Sequence, residues 1–512
     1  MKSNQLKLGS LLSYFQMGLS VVIGLLYTPV MIRLLGQSEY GLYNTVASTI
    51  SMLSVLNLGF NSSYIRYFAK YKKENDRESI YKLNGLYIII FSVIGIIAFA
   101  CGMFLTGNLE LVFADGLTER EYEIARVLML LLTINLSVSF PMGLFSNIIS
   151  AHEHYVVLKL LGMVRTVAGP FITLPLLLMG YRSIAMVSVT VGVSIFTDLC
   201  YGYYTIRKLK QRFIFKDFEK GIFKSLFVYT GFIAINLIID QINWNVAKYI
   251  LARFRGTESV AIYSVGYALY SYYQLFSTSI SGVFAPKIHR IINTIEDMKA
   301  QRKSLTDLFV KVGRIQYFVL ALISSGIVFF GKSFILNIWA GEGYDHSYYV
   351  ALLLIIPASI ALIQNLGIEI QRAENKHQFR SIVYLIMALL NLGVSIYLCQ
   401  IYGAIGSAIG TAVSLVVANG LIMNIYYHKK CNLDIICFWK NILSASKGLI
   451  LPVIAGILLV KFTDRNNLLI WVADVGVYAL VYGASMWLFG MNKYEKGLIT
   501  GAVGKVLRKF KK

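Results

Sequence analysis

The stretch Leu83–Thr106, LNGLYIIIFSVIGIIAFACGMFLT, runs for 24 residues without a charged side chain. Coiled as an α-helix it reaches about 36 Å at ~1.5 Å per residue, enough to cross a hydrocarbon layer about 30 Å thick. Its apolar residues are continuous. Barrel strands would instead alternate over about 10 residues. At that depth no water is present to bond the backbone, so a helix, which pairs its own N–H and C=O groups, is the conformation this stretch predicts.

Thirteen further blocks of this kind occur. The fourteen predicted spans lie near 9–33, 41–65, 83–106, 127–150, 156–179, 184–206, 225–250, 259–285, 312–331, 350–370, 381–400, 404–427, 447–462 and 469–489. Of the 512 residues, 57% are hydrophobic and 14% charged, where a soluble domain carries about 25% charged residues. No connecting loop is long enough for a soluble enzymatic domain. The fold class expected is therefore all-α, a polytopic membrane protein of about 14 transmembrane helices. The first block has no A-x-A cleavage pattern before its polar end and reads as a retained span.

The formal charge of +22 acquires a meaning from where the basic residues sit. An even number of spans places both termini on one side. Loops and tails on that side carry 37 Lys and Arg, and the opposite loops carry 9. The positive-inside rule then predicts both termini in the cytoplasm and a bacterial cytoplasmic (inner) membrane location. Nucleic acid is excluded as a partner because no folded region outside the spans could hold it. Cys101, Cys200, Cys399, Cys431 and Cys437 show no disulfide spacing, and His428, Cys431 and Cys437 make a poor zinc set, so no metal is expected.

An internal duplication is visible. Gly36 and Tyr43 in GQSEYGLY recur as Gly256 and Tyr263 in GTESVAIY, 220 residues later. Ala151 in AHEH pairs with Ala373 in AENK at an offset of 222. Gly180 pairs with Gly403, and Tyr203-Tyr204 with Tyr426-Tyr427, at 223. This predicts two pseudo-symmetric bundles around a central cavity: 1–220 with spans 1–6, 221–430 with spans 7–12, and 431–512 with two additional spans and a basic tail. Transport folds place substrate between such repeats.

Two motifs invite other readings. Gly326–Ser333, GIVFFGKS, matches the P-loop pattern formally, but Ile, Val, Phe and Phe fill the positions where a phosphate loop needs small residues, at the end of an apolar span. An ATP site is not expected. The HEH of His152, Glu153 and His154 reads as an interfacial loop. Asp115, Glu119, Glu121 and Glu123 read as a solvated charge run.

Ionisable groups inside spans cost about 2.5–3.5 kcal/mol on insertion scales and are functional candidates for that reason. Arg165, Asp198, Asp240, Lys248 and Glu369 fall in or near spans, and Arg33 and Arg66 sit at span ends where they can snorkel. Span 7 is the most polar. Asn236, Asp240 and Asn243 share one face, and Gln241, Asn245 and Lys248 an adjacent one. Asp240 and Lys248 are eight residues apart, about 12 Å along a helix, and cannot pair directly. Span 8 carries Tyr263, Tyr267, Tyr270, Gln274, Ser277 and Ser281 on one stripe. Tyr rings can stack on sugars while their hydroxyls bond sugar oxygens. Both stripes are open to two readings, the lining of a wet cavity or bonding between helices. Asp240 or Glu369 is the candidate binding group for a coupling H⁺ or Na⁺; no other cofactor is expected.

The segment RLLGQSEYGLYNTVASTISMLSVLNLGFNSSYIRYFA, Arg33–Ala69, resembles the first loop and second span of polysaccharide-transport flippases of the Wzx type, within the multidrug/oligosaccharidyl-lipid/polysaccharide exporter (MOP) superfamily. The resemblance rests on Gly36, the Tyr40–Tyr43 turn and the Arg66-Tyr67 pair, with a similar Asp240, Gly256, Tyr263 and Pro286 arrangement later. It implies a non-enzymatic alternating-access carrier that moves undecaprenyl-diphosphate-linked oligosaccharides to the outer leaflet for capsule, O-antigen or exopolysaccharide synthesis. A polysaccharide polymerase and assembly proteins are the implied partners, and a cationic cavity is the implied site. Arg33, Arg66, Arg165, Asp240, Asn243, Lys248, Tyr263, Tyr267, Tyr270 and Gln274 are its candidate lining residues. Rival readings are a lipid II or teichoic-precursor flippase, a cation-coupled drug exporter, and a polymerase or glycosyltransferase. The last would need a large outer loop or a catalytic carboxylate motif.

Overall fold

Helix is the only regular structure among the described residues, as the hydrocarbon setting requires. The computed structural model describes residues 2–113, 117–218, 221–374, 376, 378–463 and 467–510. Asp115 of the acidic run lies outside the described residues, as does the side chain of Asn236. Among the described residues, ten segments are long and apolar enough to cross a membrane. One of them, Gln378–Lys429, is broken at Gly403 and supplies spans 11 and 12. Spans 2, 7 and 8 form as the helices beginning at Gln37, Ile222 and Val246, which brings the helical architecture to the expected fourteen crossings. Large apolar side chains face outward along them, Leu26 and Phe171 at 70% and 69% exposed, a surface suited to lipid and not to water.

Helix ends follow local chemistry. Asp76 caps Arg77–Gly107 by accepting from the Ser79 amide at 3.0 Å, and its bonds to Ser79 hold its carboxyl below the usual range. Thr118 and Glu121 form a capping box on Glu119–Ala151. Span 2 is not one helix. Gln37–Met52 stops, Leu58 and Gly59 take left-handed backbone, and Phe60–Lys73 resumes. GIVFFGKS lies inside the helix Met298–Ser333, so its amides bond along the helix and cannot wrap a phosphate.

The chain divides into two units, described here one at a time. The first comprises Met1–Ser264 with Leu392–Ser407, the second Val265–Asn391 with Ala408–Lys512. In the first, Phe60, Tyr64, Tyr87 and Phe91 form an aromatic core with edge-on ring pairs. Its polar atoms are matched: Tyr64 donates to Asn84 at 2.7 Å, and Ser63 and Tyr87 share a bond of 2.6 Å. Asn84 donates onward to the Arg212 carbonyl, fastening the basic segment after span 6 beneath the helices.

The duplication is preserved in backbone geometry. Gly36 has φ 79° and ψ 168°, and Gly256 has φ 77° and ψ 178°. Only glycine occupies that region without strain. The helices that follow these two turns pack on each other within the first unit. Gly41 and Ala261 are repeat equivalents, and a β-carbon on Gly41 would stand 1.8 Å from the Thr257 carbonyl oxygen and 3.2 Å from the Ala261 amide. Ser38 and Thr257 hydroxyls meet at 3.0 Å beside this crossing.

The HEH loop is structural. His152 packs on the Phe68 ring at 4.8 Å between centroids, and its Nδ1 lies 2.9 Å from the Ile148 carbonyl. His154 Nδ1 meets the Tyr204 hydroxyl at 2.8 Å. Burial, aided by the nearby charges of Lys72 and His154, holds His152 below its ordinary value of 6.5.

Two outcomes follow. Gly41→Ala should destabilise the protein by about 1–3 kcal/mol through overpacking, whereas Gly18→Ala, with nothing within 4 Å, should be neutral. Thermal unfolding in detergent checks this, and equal melting of both variants would refute the crossing. His152 binds its proton more readily unfolded than folded, so its contribution is intact above about pH 6.5 and is lost as pH falls below that. His152→Gln should flatten the decline in melting temperature from pH 6.5 downward.

Candidate functional site

Span 7 breaks at Trp244–Asn245, and the break distributes its polar groups. Asp240, before it, is exposed, and Asn243 is half-buried. Asn245 donates to Gln241 Oε1 at 2.5 Å, and Gln241 reaches Ser54 Oγ of span 2 at 3.4 Å. This adjacent face is therefore used at least in part for bonding between helices. Lys248, one turn on, is 9% exposed and engaged with a partner. Toward the Gly256 turn, the Tyr249 hydroxyl donates to the Leu111 carbonyl and Arg253 to the Glu110 carbonyl, both at 2.6 Å. Arg255 donates to the carbonyls of Cys399, Gln400 and Ile401, where a helix ends with its carbonyls unpaired.

Among the other predicted residues of the first unit, Arg33 and Arg66 are exposed at span ends. Arg165 on Tyr155–Leu178 is also exposed, and it is close enough to the buried Asp198 on Arg182–Tyr203 to interact with it electrostatically. The charge of Arg165, on the preceding span, thus offsets part of the cost of burying Asp198. Tyr263 is fully buried just after the Gly256 turn.

In the second unit the stripe of span 8 divides along its length. Tyr270 is buried and Tyr267 half-buried, their rings 5.9 Å apart, and Gln274 is half-buried. Further along, Ser277 donates to the Leu362 carbonyl at 2.7 Å and accepts from Gln316, while Asn365 donates to Ser281 at 3.2 Å. Ser277 and Ser281 are therefore helix-packing groups. Glu369 lies on the short helix Leu366–Ala373, beyond the break at Gln364–Asn365, and accepts from Arg372 at 2.8 Å.

The structure also brings together residues that sequence spacing did not connect. Arg314 of Met298–Ser333 is 4% exposed and donates to both carboxylate oxygens of Glu495, at 2.5 and 2.9 Å, and to the carbonyls of Asn441 and Gly490. Glu39 is buried and accepts from Arg182 at 3.0 Å and from the Ser183 amide and hydroxyl. Arg380 opens Gln378–Leu415 with its guanidinium 4.4 Å over the Tyr384 ring, donating to the Tyr384 and Tyr427 hydroxyls. Tyr384 passes the bond to Asn419, in the π-helical turn Val416–Ile422. No carboxylate pairs with Arg380 among the described residues. Spacing along the sequence singles out neither Arg314 nor Arg380. The one available signal for Arg380 was Tyr384 at i+4; Arg314 had none, since Glu495 is 181 residues away. No trio of His, Cys, Asp or Glu suited to a metal occurs among the described residues.

Comparisons with solved structures define the fold. A structure of the lipid II flippase MurJ in an inward closed conformation matches with a TM-score of 0.72 at 16% identity, covering 94% of this chain and 98% of that one. An inward-facing multidrug resistance MATE family transporter of the MOP superfamily matches with a TM-score of 0.59 at 11% identity, over 81% and 99%. The fold is that of the MOP-superfamily transporters. Residues 9–292 match the family described as polysaccharide biosynthesis protein, and the chain belongs to that family. A provisionally named O-antigen transporter of Shigella flexneri is 21% identical over 406 residues, 78% of this chain and 92% of that protein. The resemblance read from Arg33–Ala69 is thereby upheld.

Arg314→Leu should cost about 3–5 kcal/mol because it leaves Glu495 charged, buried and unpaired. Arg314→Leu with Glu495→Leu should recover much of that loss. Melting temperatures of the two variants test the pair, and a double variant no better than the single would refute it.

Proposed function

We propose that this protein is an alternating-access flippase that moves undecaprenyl-diphosphate-linked oligosaccharide repeat units from the cytoplasmic to the outer leaflet of the cytoplasmic membrane, with both termini in the cytoplasm. The observation that carries the reading is the match to an O-antigen transporter over 92% of that protein's length, joined to the family match over residues 9–292. The fourfold excess of basic residues in alternate loops supports the orientation. The chemistry of the polar groups is compatible with the cargo. Arg33, Arg66 and Arg165 present exposed cations for a diphosphate, and Tyr267 and Gln274 present partly open polar groups for sugars. An interior-negative potential favours outward movement of a diphosphate by roughly 4–5 kcal/mol per 100 mV for two charges.

Asp240 is our candidate for H⁺ or Na⁺ coupling, because it is an exposed carboxylate within a span, whereas Glu369 already accepts from Arg372. A second reading is a flippase for lipid II or another precursor; the TM-score of 0.72 to a MurJ structure speaks for the fold, not the cargo.

Deletion in the native host, with other flippases removed, should leave lipid-linked repeat units facing the cytoplasm in a sidedness assay. Unchanged outward delivery would refute the proposal. Delivery of lipid II in place of repeat units would establish the second reading. Arg165→Gln should reduce transport about tenfold or more with normal membrane abundance, by loss of a charge-assisted contact, and full activity would remove Arg165 from the substrate path. Asp240→Asn should abolish dependence on the coupling ion; ion-dependent transport that persists in this variant would exclude Asp240 from coupling.

A further inference from the structure

The C-terminal helix Lys493–Phe510 is a feature the transport reading does not use. Span 14 ends with the π-helical turn Met486–Gly490, and only Met491 and Asn492 separate it from the next helix. That helix therefore starts at the membrane boundary. Its start is built, not loose. The Asn492 amide donates to Glu495 Oε2 at 2.8 Å, and the Glu495 amide donates to Asn492 Oδ1 at 3.0 Å, a reciprocal cap. Glu495 also takes the buried fork of Arg314, whose remaining bond to the Gly490 carbonyl ties the end of span 14 to the same point. Lys311 lies 5.1 Å from the Tyr494 ring centre, and Lys496 lies 5.7 Å from that of Trp487.

Two kinds of group recur in the sequence from this elbow onward. Tyr494, Leu498 and Ile499 are 49%, 46% and 41% exposed. From Ile499 the sequence continues one apolar face at helical spacing with Val503, Val506, Leu507 and Phe510. Between them stand Lys493, Lys496, Lys505, Arg508, Lys509, Lys511 and Lys512, against the single acid Glu495, which Arg314 already neutralises. A basic helix with an apolar stripe, beginning where a span leaves the hydrocarbon, has the composition of a helix that lies in the headgroup layer.

We propose that Lys493–Phe510 is an interfacial helix that, with the two lysines that follow it in sequence, binds the anionic phospholipids of the leaflet into which span 14 emerges, with the Arg314–Glu495 pair fixing its angle of departure. Anionic headgroups are the occupant because seven cations lie within 20 residues beside an apolar stripe, and an acyl boundary and a negative surface supply both counterparts together. The inference is independent of the cargo, so failure of the sidedness assay leaves it intact.

The test is hydrogen–deuterium exchange of the full-length protein in nanodiscs of phosphatidylcholine alone and with about 30% phosphatidylglycerol. Amides of the segment 498–510 should exchange at least tenfold more slowly in the anionic discs. Lys505→Gln, Arg508→Gln and Lys509→Gln together should remove most of that difference, as should raised salt, which screens surface attraction. These substitutions lie beyond the Arg314–Glu495 elbow, and unchanged exchange in the spans shows that the fold is intact. Equal slow exchange in both discs and in detergent would overturn the proposal in favour of packing against the protein itself. Equal rapid exchange in both discs would overturn it outright.

Discussion

Every backbone polar group that enters hydrocarbon must bond within the protein, and the rest of this structure depends on that constraint. Long uninterrupted helices meet it without help. The informative places are where the helices stop or break. Gly36, Gly256 and Gly403 carry the chain through positive φ between helices, and carbonyls exposed nearby are taken up by side chains, as Arg255 does for Cys399, Gln400 and Ile401. The conformations at Gly36 and Gly256 match because the two halves solve one problem with one piece of backbone.

Charge within this setting is arranged so that few ionised groups stand alone. Glu39 has Arg182 and Ser183, Asp198 has the field of Arg165, and Glu495 has Arg314. Arg380 differs, since two phenols and a ring face take the place of a carboxylate. Phenols leave the guanidinium's positive charge undiminished while satisfying its donors. Removing either Arg314 or Glu495 leaves a buried charge that the surroundings cannot solvate, so this contact specifies geometry more than it adds net stability.

Much of the architecture was legible beforehand. Fourteen crossings could be counted because apolar block length and membrane thickness are a direct physical match, and the duplication showed itself through glycines that no other residue can replace. Within the candidate site the legible part was narrower. Spacing placed Tyr263, Tyr267, Tyr270, Ser277 and Ser281 on one stripe. It could not say that Ser277 and Ser281 would meet Leu362, Gln316 and Asn365, since those neighbours come from other helices. Nor could it foresee the break at Asn245, which leaves Asp240 open and Lys248 enclosed.

The amino-acid sequence by itself determined that this chain is a bundle of membrane helices and in which apolar segments most of them lie, and it showed the recurring glycines of the two turns. Those properties depend on hydrophobic length and on local backbone freedom, both written residue by residue. Only the tertiary structure decided which polar side chains are spent on holding helices together and which remain open. That choice depends on which helix faces come into contact across separations of tens to hundreds of residues, and Arg314 and Glu495, with 181 residues between them, are its clearest instance.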